Sequence, residues 1–223
     1  MFDAVIFDAD GVLLDSEVIY HAIERAVLAE IGLDYSPIEY RQQFMGLHQT
    51  TYVAALEADS RSRLGRPLPA DFLTRLRAET RIACDARLTP VEGAHEAVSA
   101  VRLPRAVASS SETEALERKL TRTGLAPLFG RHIYSADLVA AGKPHPDIYL
   151  HAAAALEVAP RRCLAIEDSL NGVRSALAAG MTVWGFVGGG HLDASAAAGL
   201  SEGGATRVVH SWAEAKDLLA AIG

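Results

Sequence analysis

The 223-residue chain is 50% hydrophobic and 22% charged, with a formal net charge of −7. Such a composition belongs to a globular chain that buries its own core and excludes a disordered or disulfide-stapled one. The negative balance repels nucleic-acid phosphates and anionic lipid heads, so neither nucleic acid nor membrane is expected as a partner. The two cysteines, Cys84 and Cys163, stand in no metal-binding spacing, and the chain opens on no basic-then-apolar leader. No apolar stretch approaches the roughly 20 residues of a membrane span. A cytoplasmic protein, monomeric or weakly homo-oligomeric, is the expectation.

In chain order, Ala4 to Phe7 is a short apolar run that reads as a parallel strand buried on both faces, ended at the Gly11 turn. Residues 16–88 contain no strand-like run. Their apolar positions recur three and four apart: Ile19, Ala22, Ile23, Ala26 and Val27 mark a helix stopped at Gly32, and further helices are expected over 37–45, 50–64 and 70–86. This all-helical insertion leaves 1–15 and 89–223 as the remaining core domain, with Pro90 and Gly93 marking the return. Strand-like runs then alternate with helical segments: strands at 105–110, 131–136, 163–168, 182–186 and 207–211; helices at 112–123, 146–157, 169–179 and 212–222. The alternation predicts an α/β fold, a doubly wound parallel sheet. The Gly- and Ala-rich stretch GGGHLDASAAAG (188–199) reads as a loop leading into a weak helix. It lacks the GK[ST] ending of a P-loop.

Three features sit where strands end and a fourth in a loop, and ligands of parallel α/β sheets bind outside the carboxyl ends of strands. FDADGVLLDS crowds Asp8, Asp10 and Asp15 at the first, where Asp15 or Ser16 is expected to cap the next helix. CLAIEDS sets Glu167 and Asp168 at another. If the two strands are neighbours, four carboxylates converge and repel, which a hard divalent cation with oxygen ligands would relieve. RAVASSS delivers the Ser109 hydroxyl with Ser110 beside it, suited to a phosphate oxygen. GKPHPDIYL holds Lys143 in a stiff proline-bracketed loop.

The order DxDG, Ser, KP, ED resembles that of the haloacid dehalogenase superfamily of phosphohydrolases, over the whole chain. Residues 8–12 match its first motif, Ser109 the second, Lys143 the third and Glu167-Asp168 the fourth; the helical insertion falls where that superfamily carries a cap. GKPHPDIY is similar to the subfamily of β-phosphoglucomutase and small-sugar-phosphate phosphatases. The resemblance implies a Rossmann-like core and a Mg²⁺-dependent phosphatase working through an aspartyl phosphate. Asp8 is then the nucleophile and Asp10 the general acid and base. Asp8, Asp10 through its carbonyl, Asp168 and Glu167 would hold Mg²⁺. Ser109, Ser110 and Lys143 would hold the phosphoryl group.

Dehalogenases of the superfamily lack the second aspartate, so Asp10 argues against that chemistry. A phosphosugar mutase is the nearer alternative. In the mutase pattern an arginine stands where this chain has Gln49, and the cap-helix histidine falls on Tyr20, with His21 one residue late. A neutral amide cannot make the bidentate charged contact that a second phosphate calls for. His48 and Gln49, after the Gly46 turn, are the cap residues expected to read a substrate such as a sugar phosphate or a phosphorylated sugar acid like 6-phosphogluconate. A non-catalytic phospho-ligand-binding protein would be marked by loss of Asp8, Asp10 or Lys143, all of which are present.

Overall fold

A computed structural model describes residues 1–44, 49–192 and 196–222. Contacts divide the chain into two compact units, Met1–Ser16 with Leu88–Gly223, and Glu17–Arg87.

The first unit is built on a six-stranded, all-parallel sheet of order β3-β2-β1-β4-β5-β6. Its strands are β1 (Ala4–Phe7), β2 (Arg105–Ser109), β3 (Ile133–Ser135), β4 (Cys163–Glu167), β5 (Thr182–Phe186) and β6 (Arg207–Val209). This is the doubly wound α/β arrangement expected from the sequence. Four consecutive apolar residues in β1 are all buried, because a central parallel strand is covered on both faces. Alternation along it divides the core. Ala4 and Ile6 join Ala106, Ala165 and Val183 beneath helices that contribute Ile148, Tyr149, Val173 and Ala176. Phe7 meets Phe129 and Trp212, and Trp212 stacks on Phe186 at 4.7 Å between ring centroids. The Trp212 indole N–H donates to Val12 O at 2.9 Å, tying a C-terminal helix to the loop after β1.

In chain order the helices are α1 (Ser16–Glu30), α2 (Pro37–Phe44), α3 (Gln49–Leu64), α4 (Phe72–Arg87), α5 (Ala94–Ala100), α6 (Thr113–Arg122), α7 (Ala126–Phe129), α8 (Asp147–Ala155), α9 (Leu170–Ala178), α10 (Ala196–Glu202) and α11 (Trp212–Ala220). Two short ones, α5 and α7, were not legible as periodic segments, since seven and four residues hold too few turns to show a period. Helix α11 starts on a reciprocal cap: Ser211 accepts from Glu214 N, and the Glu214 carboxylate accepts from His210 N. Helix α2 repeats the device with Ser36 and Glu39. No described helix is long and apolar enough to cross a membrane.

The second unit has its own core of Val27, Leu28, Leu33, Tyr35, Tyr40, Phe44, Leu56, Phe72 and Leu76. Phe44 meets the rings of Tyr35 and Tyr40 at 5.2 Å each and that of Tyr52 at 5.7 Å. Arg75 pairs with Glu30 and Glu79, ordinary polar structure within this unit. Two acids meet these aromatic rings: Asp59 accepts from the Tyr35 hydroxyl and the more buried Glu24 from the Tyr40 hydroxyl, each at 2.6 Å. Burial pushes the Glu24 carboxyl up from the ordinary 4.5 to about 7, against the pull of the tyrosine bond.

Glu24 therefore binds its proton more tightly folded than unfolded. Below pH 4.5 it is protonated in both states; as pH rises through 7 the folded unit must give up a proton it holds and stability falls. Glu24→Gln keeps the Tyr40 bond without the charge. Thermal melts should show the variant gaining on wild type by about 3 kcal/mol between pH 4.5 and 8, with no such gain if the carboxyl titrates normally.

Candidate active site

The register of the sheet brings the acidic strand ends together. Phe7 pairs with Ile166, so Asp8 and Glu167 leave adjacent strands side by side, and Asp8 N donates to Ile166 O at 3.0 Å. On the other flank Phe7 pairs with Val107, which delivers Ser109 two residues later. One oxygen each from Asp8, Glu167 and Asp168 lie within 4.8 Å of one another.

Lys143 joins this group from the loop before α8. Its ammonium donates to Asp8 Oδ1 at 2.7 Å, to Glu167 Oε1 at 2.5 Å and to Ala108 O at 3.0 Å. Glu167 is fully buried; its Oε1 also accepts from the Tyr149 hydroxyl at 2.6 Å, and Ser169 Oγ stands 3.3 Å from Oε2. Burial raises the carboxyls of Asp8 and Asp168 well above the usual range, Lys143 pulls both back, and the neighbouring acids push further up. Burial alone would depress the Lys143 ammonium, but Asp8 and Glu167 hold it above its ordinary value.

Two glycines make room for this packing. A Cβ on Gly172, inside the first turn of α9, would lie 1.9 Å from the Glu167 carboxyl carbon. Gly11 has φ +79°, and a Cβ there would meet Asp168 Oδ2 at 1.8 Å. Both carboxylates are enclosed by backbone that no larger residue permits.

Asp10 belongs to a different network. Ser16 Oγ donates to Asp10 Oδ1 at 2.5 Å, Ser111 Oγ to Oδ2 at 2.6 Å, and Lys119 Nζ to Oδ1 and Oδ2 at 2.5 and 2.7 Å. Burial would raise this carboxyl, but Lys119 with the two serines holds it below its usual value. Asp15 accepts from Gly190 N at 3.3 Å, and Ser16 begins α1. Ser109 is buried and its Oγ accepts from Ser111 N at 3.1 Å, while Ser110 is exposed to solvent. His48 lies outside the described residues, as does the side chain of Gln49.

A family model for haloacid dehalogenase-like hydrolases matches residues 2–180. Hexitol phosphatase B of Escherichia coli is 34% identical, with 80% of each chain covered. The 6-phosphogluconate phosphatase of Escherichia coli is 29% identical over 85% of this chain and 84% of that one. Among solved structures, a HAD family hydrolase from Deinococcus radiodurans R1 with bound phosphate and sodium superposes with TM-score 0.85 at 41% identity, covering 99% of this chain and 96% of that one. The chain belongs to the haloacid dehalogenase-like hydrolases. The resemblance read from the four motifs is thereby borne out.

Four side chains of this haloacid dehalogenase-like hydrolase escaped the sequence reading. Ser111, Lys119, Tyr149 and His191 each contact at least one of the five residues Asp8, Asp10, Lys143, Glu167 and Asp168, and His191 Nε2 lies 3.1 Å from Asp168 Oδ2. A signal for Lys119 does exist. The chain has only three lysines, Lys119, Lys143 and Lys216, among many arginines, and Lys119 falls on the same helical face as Leu116 and Leu120.

The donor set fits a hard divalent cation: three clustered carboxylates face a single ammonium, leaving negative charge that burial and mutual repulsion make costly. Lys143→Met removes the only positive partner of Asp8 and Glu167 among the described residues. The variant should lose about 3–5 kcal/mol in a thermal melt at pH 8, and millimolar Mg²⁺ should restore part of it, raising the variant's Tm more than the wild type's. A cation-insensitive loss would show that the cluster does not hold metal.

Proposed function

We propose that this hydrolase is a Mg²⁺-dependent phosphatase acting on a small phosphorylated metabolite, a sugar phosphate or phosphorylated sugar acid. The observation that carries the reading is the Lys143 bridge between Asp8 and Glu167, with Asp168 alongside. It puts a buried carboxylate nucleophile beside a fixed cation, which a phosphoryl group, itself anionic, needs in order to approach. The named activities of the hexitol and 6-phosphogluconate phosphatases support the substrate class.

Asp8 attacks phosphorus in line, an Asp8 oxygen–phosphorus bond forming as the ester oxygen departs. Asp10, which must first take up a proton that its pairing with Lys119 disfavours, gives that oxygen its proton. Water then attacks the phosphorus of the aspartyl phosphate, Asp10 takes a proton from it, and breaking of the P–O bond regenerates Asp8 and releases inorganic phosphate. Lys143 and the Ser109 loop hold the non-bridging oxygens and keep Asp8 and phosphate from repelling one another. Asp8, Asp168 and the Asp10 carbonyl, with Glu167 beside them, would hold Mg²⁺, which would supply neutralisation of charge on the transferring group.

Phosphate release from a panel of glucose 6-phosphate, hexitol phosphates, 6-phosphogluconate and p-nitrophenyl phosphate tests the reading. Activity should vanish with chelator, return with Mg²⁺, and fall at least about 10³-fold in Asp8→Asn. Conversion of glucose 1-phosphate to the 6-phosphate without phosphate release would instead show a mutase. An inert wild type, indistinguishable from Asp8→Asn across the panel, would favour a ligand-binding protein.

A further inference from the structure

Helix α6 carries an anomaly. Its buried face is formed by Leu116, Lys119 and Leu120, and Lys119 is 4% exposed, where a leucine or methionine would complete an apolar stripe. A lysine at that depth pays desolvation that an apolar side chain avoids, and buried ion pairs are replaceable by apolar residues without loss of stability in many proteins. The fold of α6 thus does not call for a cation.

What the cation does is grip Asp10. Lys119 Nζ reaches both carboxylate oxygens, at 2.5 and 2.7 Å, and also Ser111 Oγ at 2.8 Å. Ser111 Oγ donates its own hydrogen bond to Asp10 Oδ2, and Ser16 Oγ donates to Oδ1. The three anchors come from separate places in the chain: the first residue of α1, the loop after β2, and the middle of α6. Together they define the position and rotation of one carboxylate. Lys143 bonds Asp8 and Glu167 instead, so each lysine serves a different aspartate of the DxD pair.

We propose that Lys119, assisted by Ser111, is a positioning residue that orients the Asp10 carboxylate for proton transfer. This rests on the phosphatase reading above. A side chain locked by its neighbours loses no rotational freedom when it reacts, and small misplacements of a proton-transfer group cost large factors in rate. Lys119 touches no substrate in this scheme; it acts through Asp10.

Leaving-group dependence separates positioning from mere structural support. The value of kcat/KM reports steps up to phosphoryl transfer to Asp8, where an alkyl ester needs its departing oxygen protonated and p-nitrophenyl phosphate does not. In Lys119→Met, kcat/KM for the best alkyl phosphate of the panel should fall about 30-fold through kcat, with KM within about 3-fold, and for p-nitrophenyl phosphate less than about 3-fold. In an Asp10→Asn background the same substitution should cost less than about 2-fold, since the group it orients is gone. Ser111→Ala, a milder change, should show the same leaving-group pattern at smaller amplitude and carries the test if Lys119→Met does not fold. Equal losses on both esters, full additivity with Asp10→Asn, or no loss overturn the inference while leaving the phosphatase reading intact. A wild type that hydrolyses neither ester overturns that reading and this inference with it.

Discussion

A single ammonium, that of Lys143, stands between the carboxylates that the sheet drives together. The pairing of β1 with β4 makes Asp8 and Glu167 neighbours by register, and the next residue, Asp168, follows within reach. Carboxylates removed from water at this density repel one another and pay desolvation besides. The Lys143 bridge to Asp8 and Glu167 makes the crowding tolerable. It leaves net negative charge in the pocket, which a divalent cation would neutralise. Gly11 and Gly172 follow from the same crowding, because a Cβ at either would strike one of the acids.

Asp8 and Asp10 are separated by one residue yet live in different electrostatic surroundings. The loop that divides them is tight: Leu13 N and Leu14 N both donate to Ala9 O, and Gly11 N donates to Leu14 O. Within that turn Asp8 faces Lys143 and Asp10 faces Lys119, and the two carboxyls are pushed in opposite directions, Asp8 up by burial among acids and Asp10 down by its ammonium. A cation held beside Asp8 would favour its ionised form, the one that attacks phosphorus.

The sheet, its helices and the ordering of the acidic strand ends were legible because they are written in local terms: apolar runs, helical spacing, Gly stops, and charge placed where a strand must end. The rest was hidden for a physical reason. Lys119 stands 109 positions from Asp10, so its role exists only once α6 has brought it to the loop after β1. Tyr149 reads as one more apolar residue of α8, and only the approach of β4 turns its hydroxyl onto Glu167. His191 lies in a glycine-rich loop whose composition announces flexibility, yet the imidazole is buried against Asp168 and a Cβ on Gly189 would stand 2.8 Å from its Nδ1. In the same way Ser111 resembles a helix-start serine like Ser110, and only the turn after β2 decides which of the two faces Asp10.

The adjacent acids Glu167 and Asp168 are parted by the geometry of an extended chain. Successive side chains at a strand end project to opposite sides, so the two neighbouring carboxylates find different further partners although one oxygen of each stays within 4.8 Å of the other. Glu167 turns into the core, where Lys143 and Tyr149 occupy one oxygen and Ser169 lies near the other. Asp168 turns to the backbone of Gly11 and the imidazole of His191. With its oxygens so engaged, Glu167 is better suited to fixing the ammonium than to moving with a cation, and the longer side chain is the one that reaches inward. Exchanging the two acids would leave an aspartate too short to span to Lys143 and a glutamate too long for the space beside Gly11, so their order within the strand end is itself set by the packing.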